Sequence, residues 1–273
     1  MIPRVSIIMP VFDAGIDLKQ ALRSVAGQTF RDHELVLVDD GSTDRATIMI
    51  LDDVAQRPGV TLHRTANHGP AAARNLAISH ARAPYILPLD ADDWLDPAFL
   101  EKTVPVLDVE PAVGVVHTWV GLVGAHHGTW KTGPFALPEL LSRCTLHVTS
   151  LYRRELWQQA GGYDARFVES AEDWDLWLGA LERGWTGHCV PEVLAYYRRS
   201  PRSRERLARA PGVWRRLVGD LVTKHRALYD AHLPDAMAGL YEDNARISGL
   251  LERIYDHPVV RAGVRLRGLL RRG

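Results

Sequence analysis

The stretch PYILPLDADDWLD, residues 84–96, joins an apolar run to four carboxylates at Asp90, Asp92, Asp93 and Asp96. Its first half reads as a buried strand, and in extended chain residues i and i+2 face one side, so Asp90 and Asp92 aim at a common point. Neighbouring carboxylates raise each other's pKa unless a cation offsets them, and a divalent ion with oxygen preference does so directly. A calcium EF-loop is excluded, because Trp94 and Leu95 stand at its fifth and sixth positions. Asp96 before Pro97 has a second explanation, as an N-cap followed by a proline at the first helical position. A solvated turn is the alternative for Asp90 and Asp92.

Working outward, RVSIIMP, ELVLVDD, VTLHR and VGVVHTW are further strand candidates. Between them lie a helix with Leu18, Ala21, Leu22 and Val25 on one face, closed by Gly27, a second from Asp44 to Gln56, and a third from Gly69-Pro70 to about Arg82. This alternation predicts an α/β fold with a mostly parallel, Rossmann-like sheet, whose carboxyl edge is the ligand side. The first turn, PVFDAG, has neither GxGxxG nor GxxxxGK[ST], which argues against a dehydrogenase or a P-loop enzyme. From about residue 130 the pattern loosens, and after Ser203 it turns helical. The expected division is a domain over 1–203 and a helical extension over 204–273.

Composition bounds the remaining classes. The 273 residues are 46% hydrophobic, enough for a sizeable core, and 33 Lys+Arg balance 33 Asp+Glu, which argues against a nucleic-acid binder with a broad basic face. The N-terminus lacks signal-peptide features and no run approaches a spanning helix, so the expected location is the cytoplasm. Cys144 and Cys189, without CxxC spacing, predict neither a disulfide framework nor a zinc site.

Two other corners carry polar groups. ELVLVDDGSTD ends a strand with Asp39, Asp40 and Asp44; Asp44 suits a helix cap, whereas Asp39 beside the first strand can accept an N–H from a base. NHGPAAARN opens a helix whose N-terminus offers N–H groups to phosphate, and Arg74 adds a forked donor or a solvated helix residue.

Taken in order, SIIMPVFDA, LVLVDDGSTD, NHGPAAARN and LPLDADD resemble the family-two nucleotide-sugar glycosyltransferases, inverting enzymes of the GT-A fold. The resemblance covers about residues 4 to 200. It implies that Pro10, Phe12, Asp39 and Asp40 hold the nucleoside and Arg74 the ribose-phosphate region. It makes Asp90, Ala91 and Asp92 the family's DxD, with Asp90 and Ala91 on the nucleotide and Asp92 on Mn²⁺ or Mg²⁺. SAEDWDLWLGALERGW resembles the family's ED motif and nominates Asp173 as the base, with Glu172 beside it. Ser170 to Asp173 also has capping-box spacing. The helix dipole would lower the Asp173 pKa, and burial against Trp174 or Trp177 would raise it. VLAYYRRSPRS resembles the diphosphate-side segment, with Arg198 and Arg199 in place but Ser200 where the family often has histidine. GGYDARF, residues 161–167, resembles the acceptor-side loop.

The partners so implied are a nucleoside-diphosphate sugar and a hydroxyl acceptor, glycan or lipid-linked, in the making of a cell-surface polysaccharide or glycoconjugate. A sugar nucleotidyltransferase would want a Gly-rich loop where PVFDAG stands; a binding protein without turnover is the rival outside catalysis. His126-His127 lacks a nearby third ligand, and core packing is the default for Trp119, Trp130 and Trp157. Near the C-terminus Val259, Ala262, Leu266 and Leu269 share a helical face among arginines 261, 265, 267, 271 and 272. That basic segment suits either peripheral contact with an anionic membrane or a solvated helix, and Gly263 and Gly268 weaken both.

Overall fold

A computed structural model describes residues 2–125, 127–200, 208 and 210–256. Among these residues nine strands form one sheet. Its first part is parallel: β1 (Val5–Val11), β2 (His33–Asp39), β3 (Val60–Arg64) and β4 (Tyr85–Pro88) lie in the order β3-β2-β1-β4. β1 is buried on both sides and alternates accordingly. Val5, Ile7, Met9 and Val11 enter one apolar cluster with helix α1 (Leu18–Ala26), and Ile8 enters the other beneath α3 (Pro70–His80). The α1 face is Leu18, Ala21, Leu22 and Val25, as its spacing predicts. Helix α2 (Arg45–Val54) starts on the Asp44 cap, whose carboxylate accepts the Thr47 N–H at 2.7 Å.

The sheet continues antiparallel. β8 (Leu151–Arg153) joins β4 to β6 (Val113–Gly124), and β6 runs parallel to the long β9 (Thr186–Arg199). A two-residue strand β5 (Trp94–Leu95) pairs antiparallel with the end of β9, Trp94 opposite Tyr196, while β7 (Gly128–Trp130) hangs on β6. This last pairing brings the end of β9 against the acidic loop after β4. Asp96 is not an N-cap: α4 (Phe99–Val109) begins three residues later, and the Asp96 carboxylate accepts the Ala98 N–H at 2.9 Å in the turn before it.

Helices α5 (Glu139–Ser142), α6 (Arg154–Ala160) and α7 (Glu172–Glu182) cover the α3 face. Among the described residues α8 (Pro211–Lys224), α9 (Arg226–Ala231) and α10 (Leu233–Asp256) follow. Their Leu217, Leu221, Tyr229 and Ala236 enter the same cluster as Trp177 of α7, and Lys224 and His225 both contact Asp175, at 2.7 and 3.0 Å. The C-terminal helices therefore share a core with the N-terminal sheet. The expected boundary at residue 203, His126 and the basic segment after residue 258 lie outside the described residues. Among the described residues no helix is long and apolar enough to cross a membrane.

Candidate active site

The carboxyl ends of β1, β2 and β4 meet along one edge. Pro10 pairs with Val38 and Val11 with Asp39, so the β1 end and the Asp39 carboxylate are neighbours. Phe12, just beyond, leaves its ring about half exposed at 51%. Asp13, which sequence reasoning passed over, has φ +44°, and one of its oxygens accepts N–H groups of Thr43 and Asp44, each at 2.7 Å. These two hydrogen bonds staple the loop after β1 to the loop after β2 and lower the Asp13 pKa.

Asp39 and Asp40 have different work. Asp39 is buried; one oxygen takes the Ser42 N–H at 2.9 Å, and Arg64 approaches the other at 3.4 Å. Both oxygens of Asp40 are occupied by backbone, accepting from His68 and Gly69 at 2.9 and 2.8 Å. Asp40 thus fixes the turn that opens α3, where Gly69 at φ +87° precedes Pro70.

One turn into α3, the Arg74 fork is spent inside the protein. One prong donates to Asp90 at 2.6 Å and the other to Glu172 at 2.7 Å, with the residue 2% exposed and its guanidinium over the Tyr163 ring. A single side chain therefore ties the acidic loop to the start of α7. Adjacent Asn75 binds the 161–167 loop, donating to the Tyr163 carbonyl and accepting from Tyr163 N–H and Trp157 Nε1 at 2.7 to 3.1 Å. Asn75 stands in the quoted motif, but its partners are more than 80 residues away and leave no local signal.

Within the acidic loop Asp93 is buried and accepts the Arg198 N–H at 2.8 Å, with His147 Nε2 3.7 Å from its other oxygen. The Arg198 side chain donates to the Asp92 carbonyl and to Gln20, and its guanidinium covers the Trp94 ring at 5.1 Å. Arg198 accordingly braces the loop from β9, while Arg199 lies over Tyr197. His147, another residue the sequence did not single out, packs between Tyr197 and Trp130. Burial, followed by the charge of Asp90, pushes the Asp92 carboxyl up to about 6. Among the described residues no cluster of three or more His, Cys, Asp or Glu forms a self-sufficient metal cage. Asp90 and Asp92 do fit a hard divalent ion that takes one or two carboxylates and draws its other ligands from substrate phosphates and water.

Asp173 stands in the first turn of α7. The helix is preceded by Ala171 in a left-handed conformation, φ +76°, and no side chain caps it, so the capping-box reading of Ser170 does not hold. Of the two opposed influences, burial wins. Desolvation and then Glu172 raise the Asp173 carboxyl to about 7 against the Trp174 N–H and Arg74. The Cys144 thiol lies 3.9 Å from its second oxygen.

Residues 6–159, more than half of the chain, match the family described as Glycosyl transferase family 2. The chain belongs to glycosyltransferase family 2. A relative described as putative glycosyltransferase EpsE of Bacillus subtilis is 32% identical over 203 residues, 70% of this chain and 72% of that protein. An uncharacterized glycosyltransferase of Haemophilus influenzae is 43% identical over 101 residues, 37% of this chain and 40% of that one. Chondroitin synthase of Pasteurella multocida is 28% identical over 71% of this chain but only 21% of its own length. The chain thus spans well under two thirds of the latter two. Among solved structures, S. aureus TarS 1-349 in complex with UDP-GlcNAc superposes with a TM-score of 0.65 at 20% identity, covering 80% of this chain and 66% of that one. Mannosyltransferase PcManGT from Pyrobaculum calidifontis in complex with GDP-Man and Mn2+ gives 0.60 at 19%, covering 98% and 85%. These likenesses establish the GT-A fold for this family-two member.

Proposed function

We propose that this protein is a cytoplasmic, metal-assisted inverting glycosyltransferase that moves a sugar from a nucleoside-diphosphate donor to a hydroxyl acceptor in building a surface polysaccharide or glycoconjugate. The observation that carries the reading is the Arg74 bridge, which ties Asp90 of the acidic loop to Glu172, the neighbour of a carboxylate raised to about 7. A general base poised near the working pH and held against a donor corner is what a single displacement at an anomeric carbon needs.

In this reading the nucleoside base lies along the β1 and β2 ends, near Pro10 and the exposed Phe12 ring, with an N–H directed to Asp39. Uracil and guanine both present such an N–H. Asp90 and Ala91 face the ribose, and Asp92 with Asp90 would hold Mn²⁺ or Mg²⁺. The ion, when bound, stabilises the charge gathering on the departing diphosphate. Arg198 keeps the loop in shape from behind, and Arg199 lies at the diphosphate side. Asp173 takes the proton of the acceptor hydroxyl as that oxygen attacks the face opposite the diphosphate. The relatives and neighbours named for polysaccharide synthesis and for UDP-GlcNAc or GDP-Man complexes support a nucleotide-sugar donor and a glycan acceptor.

A donor panel, scored for nucleoside-diphosphate release with and without chelator, tests the reaction, and the anomeric configuration of the product tests inversion. Asp173→Asn is expected to abolish transfer while nucleotide affinity stays within about twofold. Loss of both together would assign Asp173 to folding. Binding without release for every donor would favour the non-catalytic alternative.

A further inference from the structure

We infer that helix α10 forms a parallel two-stranded coiled coil with the same helix of a second copy of this chain. One face of α10 is accounted for by the protein body. Ala236 and Gly239 are buried, a Cβ at Gly239 would meet the Ser142 hydroxyl at 3.0 Å, and Asp243 pairs with Arg143. A second line of side chains has no cover. Leu233, Met237, Leu240, Ile247 and Leu251 are each between 46% and 56% exposed, and Asn244 among them is exposed too.

These six residues are spaced alternately by four and three. At 100° per residue they fall within an arc of about 80°, the narrow seam of a heptad repeat rather than the broad stripe of a helix laid on a globular core. In heptad terms Leu233, Leu240 and Ile247 occupy d positions, and Met237, Asn244 and Leu251 occupy a positions. A single asparagine at a is the residue that sets register between parallel helices, because its amide both donates and accepts and so pairs with its own copy across a two-fold axis. Lipid chains would leave that amide alone.

Charge points the same way. Between Leu233 and Arg253 the helix has four acids against two arginines, so an anionic lipid surface repels it. Flanking the seam, Tyr241 and Ser248 at e and Ala236, Asp243 and Leu250 at g include one charge, Asp243, and Arg143 and Arg246 already engage it. No like-charge clash therefore opposes a second copy. Beyond Asp243 the side chains of residues 244–248 and 250–253 are exposed all round the helix. So short a stretch does not hold itself helical in water without an apolar partner.

The test is the mass of the full chain in solution, measured by light scattering and sedimentation velocity without lipid. Wild type is expected at twice the mass of one chain, and Leu240→Glu with Ile247→Glu at the mass of one, with a circular-dichroism spectrum that loses only the helicity of the stretch beyond Asp243 and a folded body otherwise unchanged. Asn244→Cys should give an oxidised cross-linked pair that neither wild type nor Glu242→Cys, on the opposite side of the helix, gives. Asn244→Leu should remain associated and form larger assemblies. A monomeric wild type, a double variant that keeps the dimer mass, or equal cross-linking at 242 and 244 overturns the inference. A monomer that sediments with anionic vesicles also overturns it and makes the face a membrane surface.

Discussion

Replacing Arg74 by methionine, which keeps most of the side-chain volume, removes both prongs of the bridge and leaves two carboxylates facing each other. The two losses differ. Glu172 is 6% exposed at its side chain, and breaking a buried pair by removing one partner costs about 3 to 5 kcal/mol. Asp90, at 32%, is partly rehydrated and adds no more than about 1 kcal/mol. Taking about 3 to 6 kcal/mol together, and roughly 2 to 4 °C per kcal/mol for a chain of this size, the melting temperature falls by roughly 6 to 24 °C. Protonation relieves a buried carboxylate that has lost this partner, so the deficit is larger at about pH 8 than at about pH 5. Arg74→Lys keeps one charge but cannot fork to two acids and falls between the two proteins. The assay is thermal unfolding by circular dichroism at both pH values, with donor turnover on the same samples. An Arg74→Met protein melting within about 1 °C of wild type at both pH values refutes the bridge as a structural tie.

Three further outcomes follow from the same electrostatics. Turnover should rise with pH on a limb centred near 7, because a base at Asp173, as proposed, acts only when ionised and its pKa is raised to about 7; a pH-rate profile flat from about 5 to 8 removes Asp173 as the base. A carboxyl with a raised folded pKa contributes stability that is full below its ordinary 3.8 and lost as pH rises through about 7. Asp173→Asn should therefore melt higher than wild type at about pH 8 and converge with it near pH 4, as calorimetry would show. Asp40→Ala strands the His68 and Gly69 N–H groups and should cost about 1 to 3 kcal/mol in denaturant unfolding. Loss of nucleotide affinity without loss of stability would instead make Asp40 a ligand-binding group.

The first half of the molecule was legible because its rules are local. VTLHR is β3 to the residue, Asp44 is the cap it appears to be, and the four apolar positions of α1 are its buried face. The second half was not, and β9 shows why. Its pairing with β6 shifts register between Thr118 and Val120, skipping Pro191, Glu192 and Leu194, so no strict alternation survives in the sequence. Gly187, which reads as a strand breaker, is there because a Cβ would sit 2.3 Å from Phe135, a contact 52 residues distant. The site divides in the same way. The acids and Arg74 stand out in their motifs, but that Arg74 serves Glu172 and Asp90, or that Asp93 holds the Arg198 backbone, depends on pairings across the fold.

Those pairings also bear on why four carboxylates coexist between residues 90 and 96. Asp96 is spent on the turn before α4, Asp93 on the Arg198 N–H, and Asp90 on Arg74. Among the described residues, no other side chain donates a hydrogen bond to Asp92, and its carboxyl is pushed up to about 6 by burial and by Asp90. The protein thus settles Asp96 and Asp90, whereas burial and the charges of Asp92 and Asp90 hold the Asp93 carboxyl well above the usual range despite the Arg198 N–H, so Asp92 and Asp93 together leave the loop deficient in positive charge on the ligand side of the sheet. A group intended to stay neutral would be served as well by asparagine, which has the same shape and no titration. An aspartate kept there at an electrostatic cost supports an incoming cation as its partner, and Asp90, with one oxygen on Arg74, is placed to share it. On the proposed reading the same arginine would fix the cation's second carboxylate and the neighbour of the base, so that one side chain would hold donor loading and acceptor activation in register.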